Sequence, residues 1–399
     1  MWEKNIDINR VVEVRARTTV YFGVGAINKI ADIAGALKNK GIDKVIVVTG
    51  KGSHIKTGAW DVVKAAFDEK AIGYSLYSEI TPNPTADQVD EATKQALAFG
   101  AQAVVSIGGG SPIDAAKSVA ILMAYKDKTA RDLYEYKFTP DTAVPVVAIN
   151  LTHGTGTEVD RFAVVSIPEK EYKPAIAYDC IYPMFSIDDP ALMTKLPAEQ
   201  SIYVSLDAIN HIVEAATTIV TNPYSILLAN ETVRLVDKYL PVVKDNPSDL
   251  TARYYLLYAS LIAGISFDNG LLHYTHALEH PLSAVKPDLA HGLGLAMLLP
   301  AVVKEIYPHA SETLAYVFAP IIEGLKGTPD EADKAHKGIK EWVGKMGVNT
   351  TLKDIGFTEV DVERLVDLAF ETPSLGLLLS LAPKKATREV VRDIYMNSL

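Results

Sequence analysis

The stretch Val105-Ser106-Ile107-Gly108-Gly109-Gly110-Ser111-Pro112-Ile113-Asp114 passes from an apolar, β-branched run through three glycines into a helix-forming segment. A buried strand that ends in a glycine turn and opens a helix is the elementary step of a parallel βαβ sheet. Glycines permit positive φ and let backbone approach a ligand closely. The unbonded N–H groups at the start of the following helix, together with its dipole, favour a pyrophosphate. Pro112 suits the first helical turn, where its missing N–H leaves nothing unsatisfied. Gly108, Gly109, Gly110 and Ser111 are therefore candidate dinucleotide-binding residues. A tight turn with no ligand is the competing reading of the same four residues.

Working outward, Lys44-Val45-Ile46-Val47-Val48-Thr49 is a second short buried strand, closing on Gly50. Residues 102–107 form the strand before the turn and residues 144–149 a third, with helical periodicity over 85–99 and 114–124. Strand and helix in alternation predict an α/β domain on a mostly parallel, doubly wound sheet. After Leu196-Pro197 strand-like runs nearly vanish. Apolar periodicity there predicts helices over 198–220, 224–239, 250–268, 270–280, 292–307, 331–346 and 360–369. A chain of 399 residues is long for a single core. The expectation is a dinucleotide-binding α/β domain over 1–193 and an all-α, metal- and substrate-binding domain over 194–399.

Composition narrows the function. The net charge of −10 leaves no basic surplus to neutralise nucleic-acid phosphates. One cysteine, Cys180, excludes a disulfide framework and a cysteine-based zinc site, and fits a reducing cytosol. Residues 1–10 carry charges throughout and do not read as a signal peptide, and no uncharged run reaches membrane-spanning length. A cytoplasmic protein with no membrane partner is expected.

Two further loops bear on a dinucleotide. Asn150-Leu151-Thr152-His153-Gly154-Thr155-Gly156-Thr157-Glu158 follows the third strand, and the hydroxyls of Thr152 and Thr155 suit phosphate or ribose. A Thr-rich loop leading into a hairpin explains it equally well. Gly50-Lys51-Gly52-Ser53-His54 follows the strand that closes at Thr49. In doubly wound folds an acidic residue at that point bonds the ribose of NAD and repels the extra phosphate of NADP. No acid is present, and Lys51, Ser53 and His54 suit a phosphate, so NADP(H) is expected over NAD(H). Lys51 as a solvated surface lysine is the bland alternative. Gly23-Val24-Gly25-Ala26-Ile27-Asn28 lacks the third glycine of a dinucleotide fingerprint and reads as a turn.

Asp207 and His211 stand four apart in a helical stretch and so share a face, one turn apart, and His276 and His280 repeat the spacing. Pro281 is expected to end or bend its helix. Four of the nine histidines, His273, His276, His280 and His291, cluster in the helical half. Asp207, His211, His276 and His291 make one carboxylate and three imidazoles, suited to Fe(II), Zn(II), Mn(II) or Co(II). Each has a plainer reading: Asp-x-x-x-His is commonly an intrahelical hydrogen bond, His273 reads as a core histidine, and His309 and His336 as surface residues.

These motifs, taken together, resemble the iron-containing (group III) alcohol dehydrogenases, which include lactaldehyde reductases, propanediol dehydrogenases and butanol dehydrogenases. The resemblance is carried by Phe22-Gly23-Val24-Gly25, Pro82-Asn83-Pro84-Thr85, Gly108 to Ser111 with Asp114 and Lys117, Asp207-Ala208-Ile209-Asn210-His211, His276 to Leu282, and His291-Gly292. It implies a catalytic Fe(II), or Zn(II), on Asp207, His211, His276 and His291. It also implies a cofactor set that includes Asp114, a basic residue at Lys173 close to the nicotinamide, and His280 as an unligated residue near nicotinamide and substrate. The family's acidic discriminator for NAD aligns with Gly50. Departures occur at His153, at Asp160-Arg161 and in a longer interval before His291, and they point to the substrate rather than to the chemistry.

The expected reaction is hydride transfer between nicotinamide C4 and a small alcohol or aldehyde, with His280 relaying the proton. A lyase resembling 3-dehydroquinate synthase is a rival. Its anionic substrate calls for cations near the metal, yet Arg234, Lys238, Lys244, Arg253 and Lys286 all stand away from the ligands in sequence. A non-enzymatic protein with a structural metal leaves the glycine turn unexplained. A homo-oligomer, by default a dimer, is expected.

Overall fold

A computed structural model describes residues 2–399. Its first unit, residues 16–196 with 247–257, is built on a six-stranded sheet. The strands are β1 (Thr19–Phe22), β2 (Lys44–Gly50), β3 (Gly73–Ile80), β4 (Ala103–Gly108), β5 (Val146–Asn150) and β8 (Phe185–Asp188), in the order β1-β8-β5-β4-β2-β3, with every pair parallel. A short antiparallel pair, β6 (Phe162–Val164) with β7 (Ala175–Ala177), stands apart. Alternation along β2 sorts the faces. Val45 and Val47 pack with α1 (Ile30–Asn39) and α3 (Ala59–Glu69). Ile46 and Val48 pack with α4 (Ala86–Phe99), α5 (Gly110–Ala124) and α6 (Ala130–Tyr134). A four-residue turn of helix, α2 (Ser53–Lys56), follows β2.

This strand order contains a reversal. From β2 the chain moves outward to β3, whereas from β4 it moves the other way, to β5 and then β8. Adjacent strands whose connections diverge leave a crevice beyond their carboxyl ends. Here those ends are Gly50 and Gly108, beside the paired residues Thr49 and Ile107.

The second unit comprises residues 2–15, 197–246 and 258–399. Its helices are α7 (Ala198–Thr217), α8 (Pro223–Asp245), α9 (Leu250–Gly270), α10 (Tyr274–Val285), α11 (His291–Phe318), α12 (Ala332–Met346), α13 (Glu359–Glu371), α14 (Leu375–Ser380) and α15 (Arg388–Met396). Among the described residues no single helix is long and apolar enough to cross a membrane.

The division differs from one cut at 193/194 in the N-terminal segment, in residues 247–257 and, by three residues, at the boundary itself, which follows Leu196. Asn269 takes the Arg15 N–H at 2.6 Å and returns a bond to its carbonyl, and the Arg10 guanidinium bonds the carbonyls of Ile219, Val220 and Thr221, so the N-terminal segment belongs with the helices. Arg253, fully buried, bonds the carbonyls of Pro247 and Leu196, each at 2.8 Å, and draws the start of α9 into the α/β unit. Pro281 does not end α10, which runs on to Val285, and α11 passes through Pro300 and Pro308 before its kink at Ala310. Every residue of α10 from Tyr274 to Ser283 is buried, so tertiary packing outweighs the local cost of the imino acid.

Candidate active site

In the α/β unit the two polar loops singled out from sequence come together. A Cβ on Gly109 would lie 2.6 Å from Thr152 Oγ1, and one on Gly110 would lie 2.7 Å from Thr155 Cγ2. The glycines are needed for this close packing, not for unusual dihedrals: none of Gly108, Gly109 and Gly110 has positive φ, which corrects one of the two reasons offered from sequence. The loop is anchored by the Thr152 N–H on Asn150 Oδ1 at 3.1 Å. Ser111 sits in the first turn of α5, which begins at Gly110 with no side-chain cap. By contrast α4 is closed by a capping box of Thr85 and Gln88. The first N–H groups of α5 are the ones left for an anion.

Other expected cofactor residues are placed less simply. Gly50 ends β2 against the Ile80 carbonyl, where a Cβ would approach to 3.2 Å. Lys51 beside it is solvated, 3.9 Å from Glu79 on β3. His54, read as a phosphate partner, is instead buried edge-on against Trp60, with its pKa lowered by burial, so it offers no charge to a phosphate.

Asp114 is turned inward. Its oxygens accept from Thr157 Oγ1 at 2.6 Å and from the Val164 N–H at 2.9 Å, so its part is to hold the turn against β6. Burial raises its pKa against the opposing pull of Lys117, Thr157, Val164 and Lys173. Lys173 is itself buried. Lys117 Nζ, also fully buried, donates to Thr157 Oγ1, to both the carbonyl and a carboxylate oxygen of Asp160, and to the Phe162 carbonyl. Asp160, taken from sequence as a departure bearing on substrate, is therefore the internal counter-ion of Lys117. Arg161 pairs with Asp179 at 3.1 Å.

Two more buried acids lie in this unit. Glu158 has neither carboxylate oxygen hydrogen-bonded among the described residues, and Asp188 has only one, bonded by Asn150 at 3.1 Å. Burial, and then the charge of Asp188, push Glu158 well above the usual carboxylate range, and burial raises Asp188 to about 7.

The helical unit holds the second site. Asp207, His276 and His291 each bring a potential ligand atom within 4.8 Å of the other two. His211 Nε2 lies 3.4 Å from Asp207 Oδ1, and its ring is stacked between Phe267, at 4.4 Å, and His276, at 4.6 Å. His276 Nε2 is 3.5 Å from the same Asp207 oxygen, long for a hydrogen bond. Asp207 Oδ1 and His276 Nε2 are both buried without a hydrogen-bond partner among the described residues, while His211 turns Nε2, not its unbonded Nδ1, toward Asp207. Buried polar atoms are ordinarily bonded, so atoms left open beside one another fit a cation. One carboxylate with imidazoles is a donor set that Fe(II) or Zn(II) accepts.

Electrostatics agree. Burial opposes the charge on Asp207, but His211, His276 and His291 outweigh it and lower its pKa. Burial lowers His211 to about 4. His276 is raised to about 9 because the Glu214 and Asp207 carboxylates overcome its burial, and the same field favours a divalent cation.

His280 is buried, its ring 5.8 Å from that of His291 and 6.5 Å from that of His276. His273 is a satisfied core residue: its Nδ1 accepts the Tyr274 N–H and its Nε2 donates to Thr217 Oγ1. His309 is exposed, while His336, expected at the surface, bonds the Pro300 carbonyl at 2.8 Å.

Sequence reasoning missed two acids. Glu214 accepts from His276 Nδ1 and from the N–H groups of His273 and His276, and Glu279 accepts from His291 Nδ1 and Ser283 Oγ. Their signal was adjacency, Glu214 one helical turn beyond His211 and Glu279 next to His280.

Comparison with known proteins identifies the family. The family model described as iron-containing alcohol dehydrogenase matches residues 17–190, and that of the family's C-terminal part matches residues 201–399. The chain belongs to the iron-containing alcohol dehydrogenase family. It is an alcohol dehydrogenase, 62% identical to a long-chain primary alcohol dehydrogenase of Thermoanaerobacter ethanolicus over 100% of both chains. Among solved structures it resembles an archaeal halo-thermophilic Red Sea brine pool alcohol dehydrogenase (TM-score 0.91, 27% identity, 98% of this chain and 100% of that one). It also resembles an NADH-dependent butanol dehydrogenase of Thermotoga maritima (TM-score 0.88, 30% identity, 98% of each chain).

Proposed function

We propose that this alcohol dehydrogenase is metal-dependent, prefers NADP(H) and works chiefly as a reductase of primary aliphatic aldehydes. The observation that carries the reading is the convergence of buried, unbonded ligand atoms on Asp207 and His276 beside His291. When bound, the divalent metal supplies Lewis acidity toward the substrate oxygen and the nicotinamide supplies or accepts the hydride. Asp207, His211, His276 and His291 would hold Fe(II), or Zn(II) in its place. Gly108, Gly109, Gly110 and Ser111 would bind the pyrophosphate at the open start of α5, with Thr152 and Thr155 against it. Lys173 would stand near the nicotinamide. His280, buried among the ligand rings, would hold the proton exchanged with the substrate oxygen.

The cofactor preference rests on the end of β2, where Gly50 leaves no carboxylate and Lys51 offers a cation. The Thermotoga relative is NADH-dependent by its name, so the preference has to come from this chain's own residues. Cells generally hold NADP(H) reduced, which favours aldehyde reduction, and the Thermoanaerobacter relative supports primary, long-chain substrates. The protein is further read as a cytoplasmic homodimer. Its N-terminal segment exposes Ile8 (88%) and Val11 (96%), apolar side chains that a second copy would cover.

The test is anaerobic oxidation of NADPH against NADH by Fe(II)-loaded protein with a long-chain aliphatic aldehyde. Fast NADPH oxidation abolished by a chelator is expected. Preference for NADH would overturn the cofactor half alone, and no turnover despite bound metal would overturn the reading.

A further inference from the structure

The three histidines around Asp207 are not held alike. His211 is fixed by ring stacking on Phe267 and His276. His276 and His291 are each bonded at Nδ1 to a buried carboxylate, Glu214 and Glu279 respectively. An imidazole that donates its Nδ1–H has a single nitrogen left to offer, Nε2, as an acceptor.

The surroundings of Glu279 are shaped for this. Ser283, one turn on along α10, donates to its other oxygen. On α11, Gly294 provides the space: a Cβ there would lie 2.8 Å from Glu279 Cγ and 2.9 Å from Oε1. Glu279, His280 and His291 also bring ligand atoms within 4.8 Å of one another. Both Glu279 oxygens are already engaged, by His291 and Ser283, so Glu279 is a buttress and not a ligand. Glu214 does two things at once. One oxygen receives the N–H groups of His273 and His276 at 3.0 and 3.2 Å, closing the start of α10, and the other receives His276 Nδ1.

We propose that Glu214 and Glu279 are positioning residues of the metal centre: each locks one histidine, His276 or His291, with Nδ1 protonated and Nε2 presented to the cation. The proposal rests on the metal-dependent reading above. Carboxylates behind ligating histidines set the ring orientation and raise its basicity, and their loss typically weakens metal affinity by roughly 10–100-fold. Glu279 gives the cleaner test, because Glu214 also caps a helix.

Metal-free parent, Glu279→Ala and Glu279→Gln proteins are titrated with Co(II), reading visible absorption and the rise in melting temperature on binding. Glu279→Ala should bind roughly 10–100-fold more weakly, and Glu279→Gln, which keeps an acceptor for Nδ1–H, should recover part of the loss. Should Glu279→Ala not fold, Gly294→Ala carries the test, because it crowds Glu279 without deleting it and should also weaken binding. A purely structural role would lower the melting temperature of the metal-free variants while leaving Co(II) affinity and spectrum as in the parent, and that result overturns the proposal. A parent that binds no Co(II) would overturn the metal-dependent reading beneath it, a result distinct from the first.

Discussion

Two buried polar groups, one in each unit, are built to opposite plans. Around Lys117 every charge is answered: the ammonium has four oxygen partners, and Asp114, Thr157 and Asp160 are bonded in turn. Around Asp207 the back of the site is answered, by Glu214 and Glu279, and the front is open. A closed network holds a fold together, whereas an open one costs folding free energy and persists where a ligand completes it. Sequence did not separate them. Lys117 and Asp114 belong to one family motif and Asp207 and His211 to another, and only the state of their inner atoms tells scaffold from site.

The comparison can be broken by mutation. Asp207→Ala should have the largest effect, lowering kcat/KM by roughly a thousandfold as the Lewis acid, worth several kcal/mol, is lost. Its metal-free form should lose less stability than Lys117→Met, because the histidines favour the Asp207 charge but one of its buried oxygens has no hydrogen bond. A fall in melting temperature as large as that of Lys117→Met would make Asp207 scaffold. Lys117→Met should do the reverse. Stranding Asp160 should cost about 3–5 kcal/mol, seen as a drop of roughly 10 °C in thermal unfolding, while metal content per folded molecule stays at parent level. Loss of metal from folded Lys117→Met protein would erase the contrast.

Glu158 and Asp188 sharpen it, being buried and partly open yet outside both groups of potential metal ligands. If they share protons instead of a ligand, pH should show it. Asp188 is held to about 7 in the fold, so its stabilising effect is complete below the ordinary carboxylate range and is lost as pH rises through about 7. Asp188→Asn removes that loss. Its melting temperature relative to parent should climb by several degrees, on the order of 2–3 kcal/mol, between pH 5 and pH 8. A constant difference would show that the pair does not titrate in the fold.

Much of the architecture was legible because its signals are local. Runs such as Lys44 to Thr49 and the glycines at 108–110 announce strand and turn within a few residues, and the spacing of Asp207 and His211 places them on one helical face. Central strand β8 was not visible, since Phe185-Ser186-Ile187-Asp188 is four residues long with only two apolar side chains, and its pairing on both edges is what makes it a strand. His54 was misread for a related reason: a histidine after a strand looks like a phosphate partner until Trp60 is found against its ring.

The sequence by itself determined the fold class, the family and the residue types at both sites, because periodicity, turn chemistry and motif spacing are properties of neighbours along the chain. Only the tertiary structure decided that Asp160 answers Lys117, that Thr152 and Thr155 fill the space the glycines leave, and that Glu214 and Glu279 stand behind the histidines. Whether a buried polar atom is bonded or open depends on what packs against it from distant segments, and that choice is made by the three-dimensional packing of the whole unit.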